Sequence, residues 1–323
     1  MDNMAVYKKT LGFSLRRMLW DLLAIIVLAG CCVLGFVVAD KSTNKGLIGL
    51  LVGALVAIAI IVVLMRWVSY KYKAGQIAMM TRGVTEGTLP DDVIGEGKKV
   101  VKERFVTVAA FFAVTGIIKG IFNEIGRAIT RLGESIGGDT GSAVGGAVST
   151  VITTIVNYLC DCCLGWVFYR KDVKATKATC EGAVLFFKHG KTFAKNMARV
   201  FVFAIVSLLL IGGIFFGISF LIFQQFPDLF KNLANEITEA AARNNTKIAD
   251  FLKDPNTLTI AAAVLIGIIV WSIIHSVFIR PYVLVGVLRN YIASGINDIP
   301  AEDSFAALDS KSKKFKKLHA EIA

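Results

Sequence analysis

The sequence predicts an all-α, polytopic helical integral membrane protein of about six transmembrane helices arranged as three hairpins, with both termini cytoplasmic. Three observations predict it: six long apolar runs, the collection of Lys and Arg between alternate runs, and a segment that recurs in the two long basic loops. The runs cover approximately residues 22–38, 47–65, 105–122, 143–166, 200–223 and 258–278. Each is close to the ~20 residues a helix needs to cross the hydrocarbon of a bilayer.

The first run comes after Lys8, Lys9, Arg16 and Arg17 and leads almost at once into the second, so it reads as a retained signal anchor rather than a cleaved leader. Gly49, Gly53 and Ala57 form a ridge of small residues along the second, which suits close helix packing in lipid. The third stops being fully apolar at Ile118, where Lys119 must reach for the interface. From there Ile118, Phe122, Ile125, Ile129, Leu132 and Ile136 alternate spacings of four and three, predicting an outer amphipathic helix over about 118–136.

The fourth run begins within a second ridge, Gly137, Gly141, Gly145 and Ser149. Between the fifth and sixth, the periodicity from Phe226 to Phe251 predicts another amphipathic outer helix over about 226–252, interrupted near Asn244. Such helices are expected to lie on the membrane surface, ahead of acting as a lid or as a partner seam. Asn244, Asn245 and Thr246 form an acceptor pattern for N-glycosylation. A cytoplasmic basic tail, residues 280–323, completes what reads as one integral membrane domain over 1–323.

With a cytoplasmic amino terminus, 27 of the 36 Lys and Arg residues fall on the cytoplasmic side, which is then +14, against zero outside and −2 within the spans. This is the positive-inside pattern, and the plasma membrane is the expected location. The pI near 9.4 is therefore referred to anionic inner-leaflet lipid and not to nucleic acid, for which no binding motif accompanies the charge. A homo-oligomer or a membrane partner protein is compatible with so hydrophobic a chain.

Trp67, Tyr70 and Lys71 recur as Trp166, Tyr169 and Arg170, and Glu86, Gly87, Gly95 and Arg104 recur as Glu181, Gly182, Gly190 and Arg199. The plain alternative to duplication is that span ends attract aromatic and basic anchors anyway. Candidates for chemistry are few. Asp161 is the sharpest, because a carboxylate inside a span is expensive. Asn157, Cys160 and Cys163 share a helix face one turn apart, and His275 in the last span is a lone titratable group. These five form a candidate intramembrane polar site. No catalytic constellation accompanies them, so no enzyme, cofactor or metal is expected.

Gly141, Ser142 and Gly145 before a span, the cysteines at 160, 162 and 163, Cys180, and the last span running into Tyr282–Asn290 resemble the choline transporter-like family over roughly residues 140–292. The further spans of that family are missing here. The resemblance implies transport as the alternative, with a path near Asn157, Asp161 and His275. The first expectation is a non-enzymatic membrane scaffold or assembly protein that engages lipids and partners.

Overall fold

A computed structural model of the chain describes all residues except 44–45, 138–155, 244–251, 302 and 323. It is all-helical, with no strand among the described residues. Four helices are long and apolar enough to cross a membrane, or five if one bent pair counts as a single span. The chain divides into two compact units. Unit 1 comprises Met1–Arg17, Met65–Phe201 and Arg280–Ala323, and unit 2 comprises Met18–Leu64 and Val202–Ile279. The division tracks the burial of the apolar side chains.

In unit 2 the apolar side chains point outward. The helix α1, Asn3–Thr43, belongs to this unit from Met18 on and exposes Ile26, Leu34 and Val38. Its partner α2, Gly46–Val68, exposes Leu55 and Val63. A Leu or Val exposed by more than half its area over many turns has no solvent rationale in water and an ordinary one in lipid. The two helices meet through small residues. A Cβ on Gly35 would collide with the carbonyl of Gly49, and one on Gly53 with the carbonyl of Cys31, so this approach requires glycine at both. Ala57 is fully buried on the same ridge that the sequence picks out.

The remainder of unit 2 is a π-helical turn, Leu208–Gly212, then α8, Gly213–Phe223, α9, Pro227–Arg243, and α10, Pro255–Ile274. Helices α8 and α10 pack side by side, with Gly267 against the Gly212 carbonyl and Trp271 Nε1 donating to Ser207 Oγ at 3.1 Å. Asp254 caps α10 by accepting from the amides of Asn256 and Thr257, ahead of Pro255 in the first turn. The amphipathic α9 places Phe230 and Ala234 against Leu258, while Phe226, Leu229 and Leu233 remain exposed. Residues 244–251 of the expected 226–252 helix, with its Asn244 pattern, lie outside the described residues.

Unit 1 has the opposite organisation, with its large side chains inside. After α2 comes a π-helical turn, Ser69–Lys73, then α3, Ala74–Thr85, and α4, Val93–Arg104. Next are α5, Val108–Gly137, α6 over 156–169, and α7, Ala175–Ser207, which kinks at His189. A third π-helical turn, His275–Ile279, joins α10 to α11, Arg280–Asn297, with α12, Asp303–Asp309, and α13, Lys313–Ala320, at the end. Phe13, Ile77, Met79, Phe105, Phe122 and Trp166 are among the fully buried side chains of its single core.

Four of the expected segments belong wholly or largely to this unit. The run 105–122 begins at an 83° bend between α4 and α5, and Phe111, Val114, Ile118 and Phe122 enter the unit 1 core. The amphipathic stretch 118–136 is the continuation of α5 rather than a separate helix. The described part of the run 143–166 is α6, buried almost throughout among other helices of unit 1; its first half, with the ridge Gly141–Ser149, lies outside the described residues. A fully packed core helix and a lipid-facing helix are both apolar all round, so composition alone does not separate them. The tail 280–323 is folded too: Tyr291, Phe305, Phe315 and Leu318 are core residues.

Candidate functional site

Helix α6 carries four of the five residues singled out from the sequence. Asp161 is buried, its side chain 4% exposed, and its carboxylate is held from two sides. Lys73 Nζ lies 2.6 Å from Oδ1, and Arg280 Nη2 donates to Oδ2 at 2.6 Å. The cations keep 33% and 27% of their side-chain surface accessible, so each turns one side to the carboxylate and another outward. The Arg280 guanidinium also lies 5.5 Å from the ring of Tyr158, whose buried hydroxyl has no partner among the described residues.

The positions of the two cations are set by the helices. Lys73 ends the π-helical turn after α2, and Arg280 begins the helix after the π-helical turn at the end of α10. One extra residue in each turn departs from the 3.6-residue period and re-aims the next helix. Aromatic side chains gather on the same elements: Trp67 under Lys71 at 4.1 Å, Tyr72 under Lys98 at 5.0 Å, and Tyr7 edge-on to Tyr282 at 5.6 Å.

Asn157 and Cys160 are half-buried on α6, and Cys163 is buried with its thiol 3.8 Å from the Thr179 carbonyl. The cysteines are free thiols, and no group of three or more His, Cys, Asp or Glu suited to a metal occurs among the described residues. His275 belongs to unit 2, where its ring lies 5.0 Å from Trp271. The structure therefore keeps Asn157, Cys160, Asp161 and Cys163 on one helix and places His275 in the other unit.

A second polar centre escaped the sequence reading. Glu181, 2% exposed, accepts from Trp166 Nε1 at 3.1 Å and from Arg170 Nη1 at 2.9 Å. Burial pushes its carboxyl up from the usual range, with the indole and the guanidinium opposing that shift. Arg170 also grips Asp172, and Arg104 holds the connection by donating to the carbonyls of Arg170 and Val173, both at 2.9 Å. Tyr291 closes the group by donating to the Gly182 carbonyl.

The recurring Trp, Tyr and basic pattern was the available signal for this centre. Its two copies have different roles: Trp166 is fully buried against Glu181, whereas Trp67 is 39% exposed, and Glu86 pairs with Arg82 one turn away. A cleft of about 260 Å³ opens beside α3, with Arg82, Glu86 and Lys171 at its rim and Met79, Val100 and Phe168 at its floor.

Asp161 is held by two cations, and the Cys163 thiol faces the Thr179 carbonyl. The fold and site define an all-helical protein with several helices apolar enough for a bilayer and a separate packed unit rich in basic groups. Comparison with protein-family models, curated proteins and solved structures finds no match, so the likeness over residues 140–292 carries no further argument.

Proposed function

We propose that the chain is a four-span membrane scaffold of non-enzymatic type, whose basic unit 1 is cytoplasmic and engages anionic lipid surfaces and partners. The observation that carries this reading is the partition of charge. The segments of unit 1 hold 30 of the 36 Lys and Arg residues and 17 of the 24 acids, a net +13; unit 2 is −1. Each segment of unit 1 is separated from the next by two apolar helices of unit 2, so an even number of crossings returns the chain to the same side each time. That side takes the positive excess. Helix α9, with Phe226, Leu229 and Leu233 exposed, then lies in the outer interface.

Transport is the second reading, supported by Asp161 as a buried carboxylate. Against it, the apolar helices of unit 2 offer few polar groups: α2, α8 and α10 contain no charged residue between Gly46 and Met65, Gly213 and Phe223, or Pro255 and Ile274.

Two measurements test the proposal. In a cysteine-free variant in sealed right-side-out vesicles, an impermeant maleimide should label Asn235→Cys and not Ser310→Cys. Purified full-length protein in neutral proteoliposomes, with unit 1 outward, should capture added anionic vesicles and release them as salt rises toward 1 M, where screening extends only ~3 Å. Labelling of both cysteines from outside would overturn the topology. Saturable solute flux lost in Asp161→Asn, without vesicle capture, would favour transport.

A further inference from the structure

We propose that Lys73 and Arg280 form a binding site for the phosphate of an anionic phospholipid in the cytoplasmic leaflet. The site goes beyond general attraction to a basic surface, because it names one place and one geometry, and it rests on the four-span reading above.

The charge balance makes the first argument. One buried carboxylate between two cations leaves the Lys73, Asp161 and Arg280 group positive. An excess positive charge in a half-buried position is costly unless an anion accompanies it. Donor capacity makes the second. An ammonium has three N–H donors and a guanidinium five, and Asp161 accepts one from each. The remaining donors are not taken up by Asp161, and Lys73 and Arg280 keep 33% and 27% of their side-chain surface accessible. A planar guanidinium fork beside an ammonium matches the several oxygens of a phosphate.

The third argument is depth. Lys73 comes five residues after Val68, the last residue of α2, and Arg280 six after Ile274, the last of α10. Both cations thus stand just past the end of an apolar helix. Trp67, Tyr70, Tyr72 and Tyr282 flank them in sequence, and Trp67 and Tyr282 are exposed, as expected of residues at the headgroup level. Asp161 has a definite role in this arrangement: it fixes the two cations at one spacing from the protein side, so that little side-chain freedom remains to be lost when lipid binds.

The test uses full-length protein in nanodiscs of phosphatidylcholine containing a minor fraction of phosphatidylglycerol, with retained lipid counted by native mass spectrometry after transfer to detergent. Wild type should retain phosphatidylglycerol in preference to phosphatidylcholine. Arg280→Gln should lower that preference roughly tenfold, as for loss of one charge-assisted hydrogen bond. Arg280→Lys keeps the charge beside Asp161 but removes the planar fork and should lower it several-fold, which keeps the proposal falsifiable if Arg280→Gln does not fold. Lys316→Gln on α13 removes an equal charge elsewhere and should change nothing. An equal loss in Lys316→Gln, or no loss in the two Arg280 variants, overturns the site. Displacement of the lipid by inorganic phosphate at equal concentration would assign the site to the free ion and overturn the lipid. The maleimide pattern is read separately, so failure of the topology is distinguishable from failure of the site.

Discussion

Arg280 and Asp161 are 119 residues apart in the chain and 2.6 Å apart in the fold, and with Lys73 they tie the first turn of α11 and the turn before α3 to the middle of α6. Removing the shared carboxylate leaves two neighbouring cations unopposed. Breaking a buried pair costs ~3–5 kcal/mol, and the one-quarter to one-third exposure of the cations reduces that; Asp161→Asn should lose about 2 kcal/mol. Thermal unfolding in detergent measures it. Asp161→Asn combined with Lys73→Met should recover part of the loss, and additive losses would mean that the three groups are not coupled.

The acidic groups of unit 1 divide by the sign of their pH dependence. Burial holds the Glu181 carboxyl above its ordinary value, so its stabilising effect is greatest below that value and declines as pH rises through the raised one. Asp298 is held below its ordinary value by the Lys188 ammonium at 2.5 Å, so its contribution is present above the ordinary value and lost as pH falls through the lowered one. Relative to Glu181→Gln, wild type should become less favoured between about pH 4 and neutrality. Relative to Asp298→Asn it should become more favoured as pH rises out of the acid range. Melting curves of the three proteins across that range check both signs.

Helix approach in unit 2 depends on Gly49 more than on glycine content in general. Gly49→Leu should separate α1 from α2 and lower the melting temperature by several degrees or prevent a monodisperse preparation, because a Cβ there meets the Gly35 carbonyl and Ala39. Gly30→Ala, with nothing within 4 Å of its added methyl, should be neutral or slightly stabilising. Equal effects would place the α1 and α2 contact elsewhere.

One hydroxyl both caps α13 and ties it to α5. Ser312 Oγ accepts from the Phe315 amide at 3.1 Å, capping α13, and donates to Glu124 Oε2 at 2.7 Å. Glu124 also accepts from the Lys314 amide. Ser312→Ala should cost about 1 kcal/mol, seen as faster amide exchange in α13 while α6 keeps its protection.

How much of this was legible in the sequence can be judged from particular residues. The apolar helices of unit 2 were, because some 20 residues without a charge make a helix long enough for a bilayer, and spacing alone marks the Gly49, Gly53 and Ala57 ridge. Helix α6 was misleading: Leu159, Leu164 and Val167 are apolar because protein surrounds them, and the sequence does not say whether the apolar neighbour is lipid or another helix. Asp161 stood out as a lone carboxylate in an apolar run. Its partners did not, since nothing local distinguishes Lys73 or Arg280 from the other basic residues at helix ends. Glu181 was noticed only as half of a repeat, and its meeting with Trp166 and Arg170 is a product of packing.

The π-helical turns at Ser69–Lys73, Leu208–Gly212 and His275–Ile279 have a consequence for how this chain can vary. Each turn holds about one residue more than an α-helical turn, and one residue is about 100° of rotation. The residues before and after such a turn therefore lie on sides that an uninterrupted helix would not combine, and Lys73 and Arg280 owe their aim to that added rotation. Deleting one residue from either turn would leave composition and hydropathy almost unchanged, yet swing the downstream helix by more than a quarter circle and carry the cation off Asp161. Substitution is tolerable along these segments; a change of length is not.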